Sequence, residues 1–103
     1  MTRNQKLHDV AEHIGVQNLL VQLAEEAAEL GQAACKLHRA YQDLTPVTVE
    51  KAKENLVEEF ADTCLCMVAL DRCGEVSLDR VTDIMDAKLA RLGDRLEERN
   101  GEV

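Results

Sequence analysis

The chain has 103 residues, 46% of them apolar and 31% charged. That composition suits one globular domain with a modest core and excludes both a disordered polymer and a membrane protein, since no apolar run approaches the roughly 18 residues of a bilayer span. Twenty acidic residues against twelve basic give a net charge of -8, which speaks against nucleic-acid binding through the phosphate backbone and means that any polyphosphate ligand needs a metal bridge.

The N-terminal residues Met1 to Lys6 are polar and lead into an amphipathic segment, without the apolar core of a secretory signal, so a soluble cytoplasmic protein is expected. A first helix is predicted over 4–14, with Leu7, Val10, Ala11 and Ile14 on one face and Gly15 as its stop. A second is predicted over 17–41, with Leu19, Leu20, Leu23, Ala27, Leu30, Ala34 and Leu37 as its core-facing stripe. Thr45 followed by Pro46 reads as a cap and first-turn pair, so a third helix is predicted from 45 to 73, ended by Gly74.

Residues 64–70 of that third helix, Cys-Leu-Cys-Met-Val-Ala-Leu, are apolar all round, which implies burial against more than one neighbour and, in so short a chain, a partner subunit. Phe60 is read as core. Ser77 caps a fourth helix predicted over 78–99, with Leu78, Val81, Ile84, Met85, Leu89, Leu92 and Leu96 inward, and residues 100–103 are expected to fray. Few glycines, one proline and no call for strands make this an all-α chain with a four-helix bundle-like fold. Cys35, Cys64, Cys66 and Cys73 form no CxxC pair and read as reduced, core-filling thiols.

Two segments carry the chemistry. Leu23-Ala24-Glu25-Glu26-Ala27-Ala28-Glu29 on the second helix and Leu56-Val57-Glu58-Glu59-Phe60-Ala61-Asp62 on the third share the order apolar, apolar, acid, acid, apolar, apolar, acid. At about 100° per residue the three acids of each segment fall at about 0°, 100° and 40°, so each triad occupies one arc of its helix. If the two helices pack as an antiparallel hairpin, up to six carboxylates line one pocket. Such a cluster needs a cation to offset its repulsion, and oxygen-only donors select Mg²⁺, Mn²⁺ or Ca²⁺. Spacing alone weighs this metal cluster evenly against solvated helix faces with i,i+4 pairing.

These residues resemble the signature of the MazG-like all-α nucleoside triphosphate pyrophosphohydrolase superfamily, EExxE followed by ExxD: Glu25-Glu26-Ala27-Ala28-Glu29, then Glu59-Phe60-Ala61-Asp62. The similarity continues through the apolar stretch, the glycine turn and the segment Asp86-Ala87-Lys88-Leu89-Ala90-Arg91, where the family often has Asn in place of Asp86. The resemblance implies a MazG-type fold assembled as a homodimer or homotetramer. It further implies Mg²⁺, with Mn²⁺ as an alternative, held by Glu26, Glu29, Glu59 and Asp62, and a nucleoside triphosphate substrate contacted by Lys88 and Arg91. The implied reaction is attack of an activated water within the triphosphate, releasing a nucleoside monophosphate and pyrophosphate, with Glu25 or Glu29 as general base.

Tyr41 and His38 are the candidates for contact with the base, because the chain has no Trp and its one Phe is assigned to the core. His8 and His13 read as surface residues. Three alternatives stand beside this reading. A phosphoribosyl-ATP pyrophosphohydrolase shares the fold and a similar motif. A di-iron bundle calls for Glu-x-x-His, and none of His8, His13 and His38 stands three after a glutamate. A non-catalytic helical interaction module would use the acids only to solvate its surface.

Overall fold

A computed structural model describes residues Met1 to Gly101. Among them the chain forms four helices and no strand: α1 (Arg3–Ile14), α2 (Val16–Tyr41), α3 (Val49–Arg72) and α4 (Leu78–Gly101). The first begins at a capping box, in which the Thr2 hydroxyl accepts from the Gln5 N–H at 3.1 Å and the Gln5 side chain accepts from the Thr2 N–H at 2.7 Å. Gly15 alone separates α1 from α2. Its φ of 81° and ψ of 156° lie where only glycine is unstrained, and this single residue turns the chain between the two helices.

Packing of α2 against α3 sets the seam of the molecule. On α2 the residues turned towards α3 are Leu19, Leu23, Glu26, Leu30, Ala33, Leu37 and Ala40, all buried or half-buried and spaced alternately four and three apart. On α3 the matching row is Ala52, Leu56, Glu59, Thr63, Cys66 and Leu70, with the same alternation. This is the heptad pattern of a two-helix coiled coil. It departs from the stripe expected on α2: Leu20, Ala27 and Ala34 are exposed, and Glu26, Ala33 and Ala40 take the inward positions. A 3.5-residue period keeps one seam against a single partner helix, whereas the broader 3.6-residue stripe would suit a helix packed among several.

The connection between these helices differs from expectation as well. Thr48, not Thr45, caps α3, its hydroxyl accepting from the Lys51 N–H at 3.2 Å, while the Thr45 hydroxyl accepts from Val47 in a local turn. Pro46 therefore lies in the loop. α2 ends in a left-handed residue, Asp43 with φ 59°, and the Leu44 N–H returns to the Arg39 carbonyl at 3.0 Å. Gly74 (φ 77°) closes α3 in the same way, with the Glu75 N–H donating to the Leu70 carbonyl at 3.0 Å.

The apolar core is small and sits at the open end of the hairpin. Ala11 of α1, Leu19 of α2 and Ala69 and Leu70 of α3 form its centre, with Leu7, Ile14, Leu23, Cys73 and Val76 packed around them. Residues 64–70 are covered on one side only: Cys66, Ala69 and Leu70 are buried, while Cys64 is exposed and Leu65 is 59% exposed. Phe60, expected in the core, is 55% exposed. Of the four thiols expected there, Cys66 is buried, Cys73 half-buried, and Cys35 and Cys64 exposed.

The fourth helix departs furthest from the expected bundle. It starts where expected, with the Ser77 hydroxyl accepting from the Arg80 N–H and the Asp71 carboxylate accepting from the Leu78 N–H at 2.9 Å. It then runs away from the hairpin with no buried residue, so Ile84, Met85, Leu89, Leu92 and Leu96 are all exposed rather than inward. It continues as helix through Asn100 and Gly101, two of the residues expected to fray; the rest of that expectation lies outside the described residues. The radius of gyration is 18.0 Å, against about 13 Å for a compact chain of this length.

Candidate functional site

Glu26 and Glu59 occupy heptad positions that Leu, Ala, Thr and Cys fill elsewhere in the seam, so the antiparallel pairing of α2 and α3 brings two carboxylates into the packed interface. Glu29, one turn along α2 from Glu26, is exposed at the edge of the seam. Carboxylate oxygens of Glu26, Glu29 and Glu59 all lie within 4.8 Å of one another. Asp62, one turn along α3 from Glu59, borders the group without joining this tight set.

The electrostatics of this cluster are uncompensated by protein. Glu26 Oε2 and Glu59 Oε2 are shielded from solvent and have no hydrogen-bond partner. Desolvation, followed by the neighbouring charge of Glu29, Asp62 and Glu59, raises the Glu26 pKa above the ordinary carboxylate value. Glu59 is raised by desolvation, by Glu29 through hydrogen bonding and charge, and by Asp62 and Glu58. The Cys66 thiol, a seam residue one turn beyond Thr63, is pushed up by burial and by Glu26 and Asp62. No Lys or Arg forms an ion pair with any of these acids among the described residues.

Shielded carboxylate oxygens without donors fit a hard divalent cation. The donor set is all oxygen and converges from two helices, the kind of set that hard divalent cations take. Of the four ligands expected from the sequence, the fold draws Glu26, Glu29 and Glu59 together and leaves Asp62 at the margin. Glu25 and Glu58 are exposed and turned off the seam, so the six-carboxylate pocket expected of a hairpin narrows to three acids with Asp62 beside them. The reason is the 100° between adjacent residues: when the second acid of each triad faces the partner helix, the first cannot.

Glu25 instead lines an open cleft of 370 Å³ with His13, Asn18 and Gln22, formed where α1 turns into α2. His13, read from the sequence as a surface residue, is exposed and lines the same open cleft as Glu25. Asn18 holds this turn, its side-chain amide donating to the Ile14 carbonyl at 3.0 Å. His8, the other surface histidine, is paired with Glu12 at 3.2 Å.

The remaining candidates lie apart from the acids. Tyr41 and His38 are exposed near the C-terminal end of α2, with Tyr41 about 22 Å along the helix from Glu26 at ~1.5 Å per residue. The Lys53 ammonium stands 5.9 Å from the Tyr41 ring centroid, a cation-π contact that ties this end of α2 to α3. Lys88 and Arg91 are exposed on α4, which does not pack on the hairpin. No helix among the described residues is long and apolar enough to cross a membrane. No family model, no curated protein and no solved structure matches this chain.

Proposed function

We propose that the chain is a Mg²⁺-dependent nucleoside triphosphate pyrophosphohydrolase of MazG-like type, acting in the cytoplasm as a homodimer or homotetramer. The observation that carries this reading is the pair of shielded, unpartnered oxygens, Glu26 Oε2 and Glu59 Oε2, in a set of three carboxylates within 4.8 Å. Glu26, Glu29 and Glu59 would hold the cation, with Asp62 as a fourth donor, and Mn²⁺ satisfies the same donors. A bound cation supplies neutralisation of phosphate charge and a lower pKa for water.

The chain's own residues account for the rest. Glu25 or Glu29 would serve as general base, taking the proton of the water that attacks phosphorus as the P–O bond to pyrophosphate breaks. Lys88 and Arg91 would meet the triphosphate only from another chain, since α4 leaves the hairpin. Tyr41 and His38 would serve a base only across the length of α2.

A second reading, a non-catalytic helical interaction module, is favoured by one observation, the uncovered apolar face of α4. Incubation of the protein with a panel of nucleoside triphosphates and phosphoribosyl-ATP, with and without Mg²⁺, decides between them. Metal-dependent pyrophosphate release that is lost in Glu59→Gln is the expected result, and its absence for every substrate leaves the interaction module.

A further inference from the structure

We infer that Thr63 is a positioning residue for the carboxylate layer: its hydroxyl, bound to the backbone carbonyl of Glu59, sets the turn of α3 from which Glu59 and Asp62 reach the cation. The inference rests on the proposed metal site and concerns a residue outside its donor set. Among the described residues Thr63 is the one polar residue that is buried, at 8% exposure. It stands in the seam row of α3, four residues after Glu59 and three before Cys66, and directly follows Asp62. Its hydroxyl donates to the Glu59 carbonyl at 2.8 Å.

Packing alone does not call for a hydroxyl at this position. The other small residues of the seam are Ala33 and Ala40 on α2 and Ala52 and Cys66 on α3, and a β-branched apolar side chain would fill the space of Thr63 with no polar group to satisfy. In an α-helix the carbonyl of one residue already accepts the N–H four residues on, so the Thr63 hydroxyl is a second donor on a single acceptor. Such a back-bonded hydroxyl slightly destabilises a helix and often bends it.

The turn that this bond shapes runs from Glu59 to Thr63 and carries two of the four proposed ligands. Threonine in a helix divides between two side-chain rotamers, because its hydroxyl can reach the carbonyls one turn back. The rotamer adopted here commits the hydroxyl proton to the backbone. Glu26 Oε2 and Glu59 Oε2 are left without a donor although a buried hydroxyl stands one turn from Glu59. A hydroxyl turned on to a carboxylate would compete with a cation for its lone pairs. A turn fixed before the ion arrives also leaves less to be ordered on binding.

The test measures Mn²⁺ binding to the full chain, from the electron paramagnetic resonance signal of the free ion, beside urea unfolding in EDTA, for the wild type, Thr63→Val, Thr63→Ser and Thr63→Ala. Thr63→Val should unfold at or above the wild-type urea midpoint yet bind Mn²⁺ about tenfold more weakly, as ligands that lose a supporting hydrogen bond do. Thr63→Ser keeps the hydroxyl and lacks the methyl group, so it should be less stable than the wild type and bind Mn²⁺ as the wild type does. Thr63→Ala has neither group and should bind as weakly as Thr63→Val; set against Thr63→Ser, it isolates the hydroxyl even if the Val variant does not fold. Metal affinity then follows the hydroxyl while stability follows the methyl group, an opposition that a merely structural role does not produce. Wild-type Mn²⁺ affinity in the Val and Ala variants, or affinity that falls in step with stability across the series, overturns the inference and leaves the carboxylate site standing. A wild type that binds no Mn²⁺ removes the site itself, and this inference with it.

Discussion

Glu26 of α2 and Glu59 of α3 meet across the hairpin seam, each with one carboxylate oxygen that neither solvent nor a hydrogen-bond donor reaches. A heptad core that admits two acids in place of aliphatic side chains sacrifices apo stability at that layer. The acids and the stability of the apo protein should therefore oppose each other, and several measurements expose that opposition.

The first is pH. Both glutamates have pKa values raised from the model-compound value of 4.5, by desolvation first and by neighbouring charge next. A raised pKa means that the folded state holds these protons more tightly than the unfolded chain. Their contribution to stability is complete below about 4.5 and is lost as pH rises through the raised values. In EDTA, Glu59→Gln should melt above the wild type at pH 7, and the gap should narrow as the pH falls towards 4.5. A gap that widens on acidification contradicts the raised pKa.

Metal should reverse that order. Mg²⁺ bound only to the folded wild type raises its stability by RT ln(1 + [L]/Kd), about 2.7 kcal/mol at a hundred times Kd. Glu59→Gln should lose most of this gain together with pyrophosphate release, while its apo form stays folded. Thermal melts at matched ionic strength separate specific binding from screening. Equal Mg²⁺ responses in the two proteins would sink the carboxylate site.

Backbone geometry gives a test independent of function. Gly15 has φ 81° and ψ 156°, and an added Cβ there would meet open space, so Gly15→Ala carries a purely conformational cost of about 1–3 kcal/mol. Gly31, within α2, also has open space around a built Cβ, and Gly31→Ala should stabilise by about 0.5–1 kcal/mol through helix propensity. Urea titrations of the two variants should move in opposite directions from the wild type.

Thiol labelling reads the seam directly. Cys35 is exposed, whereas Cys66 is buried, and burial first and the charges of Glu26 and Asp62 next raise its pKa. Cys35 should react with a disulfide reagent within the fast phase and Cys66 in the slowest. Cys64, exposed on α3, should join Cys35 in the fast phase. Rapid labelling of Cys66 in the folded protein would show that the seam is open.

The sequence by itself determined the four helices, because periodic apolar residues, caps and glycine stops act locally: α1 and α2 start within one residue of expectation, and α4 starts at Leu78 as expected. It also pointed to the acids, since EExxE and ExxD are patterns within single helices. Tertiary structure decided which acids converge. Adoption of a 3.5-residue seam turns Glu26 and Glu59 inward and Glu25 and Glu58 outward, and only the pairing of α2 with α3 selects that rotation. It likewise decided that Thr48 rather than Thr45 caps α3, where two threonines competed at similar local cost. The fate of α4 was least legible, because its apolar stripe states that the helix must be covered but not by which chain. The short turn at Gly74, with Asp71 holding Leu78, directs it away from its own hairpin.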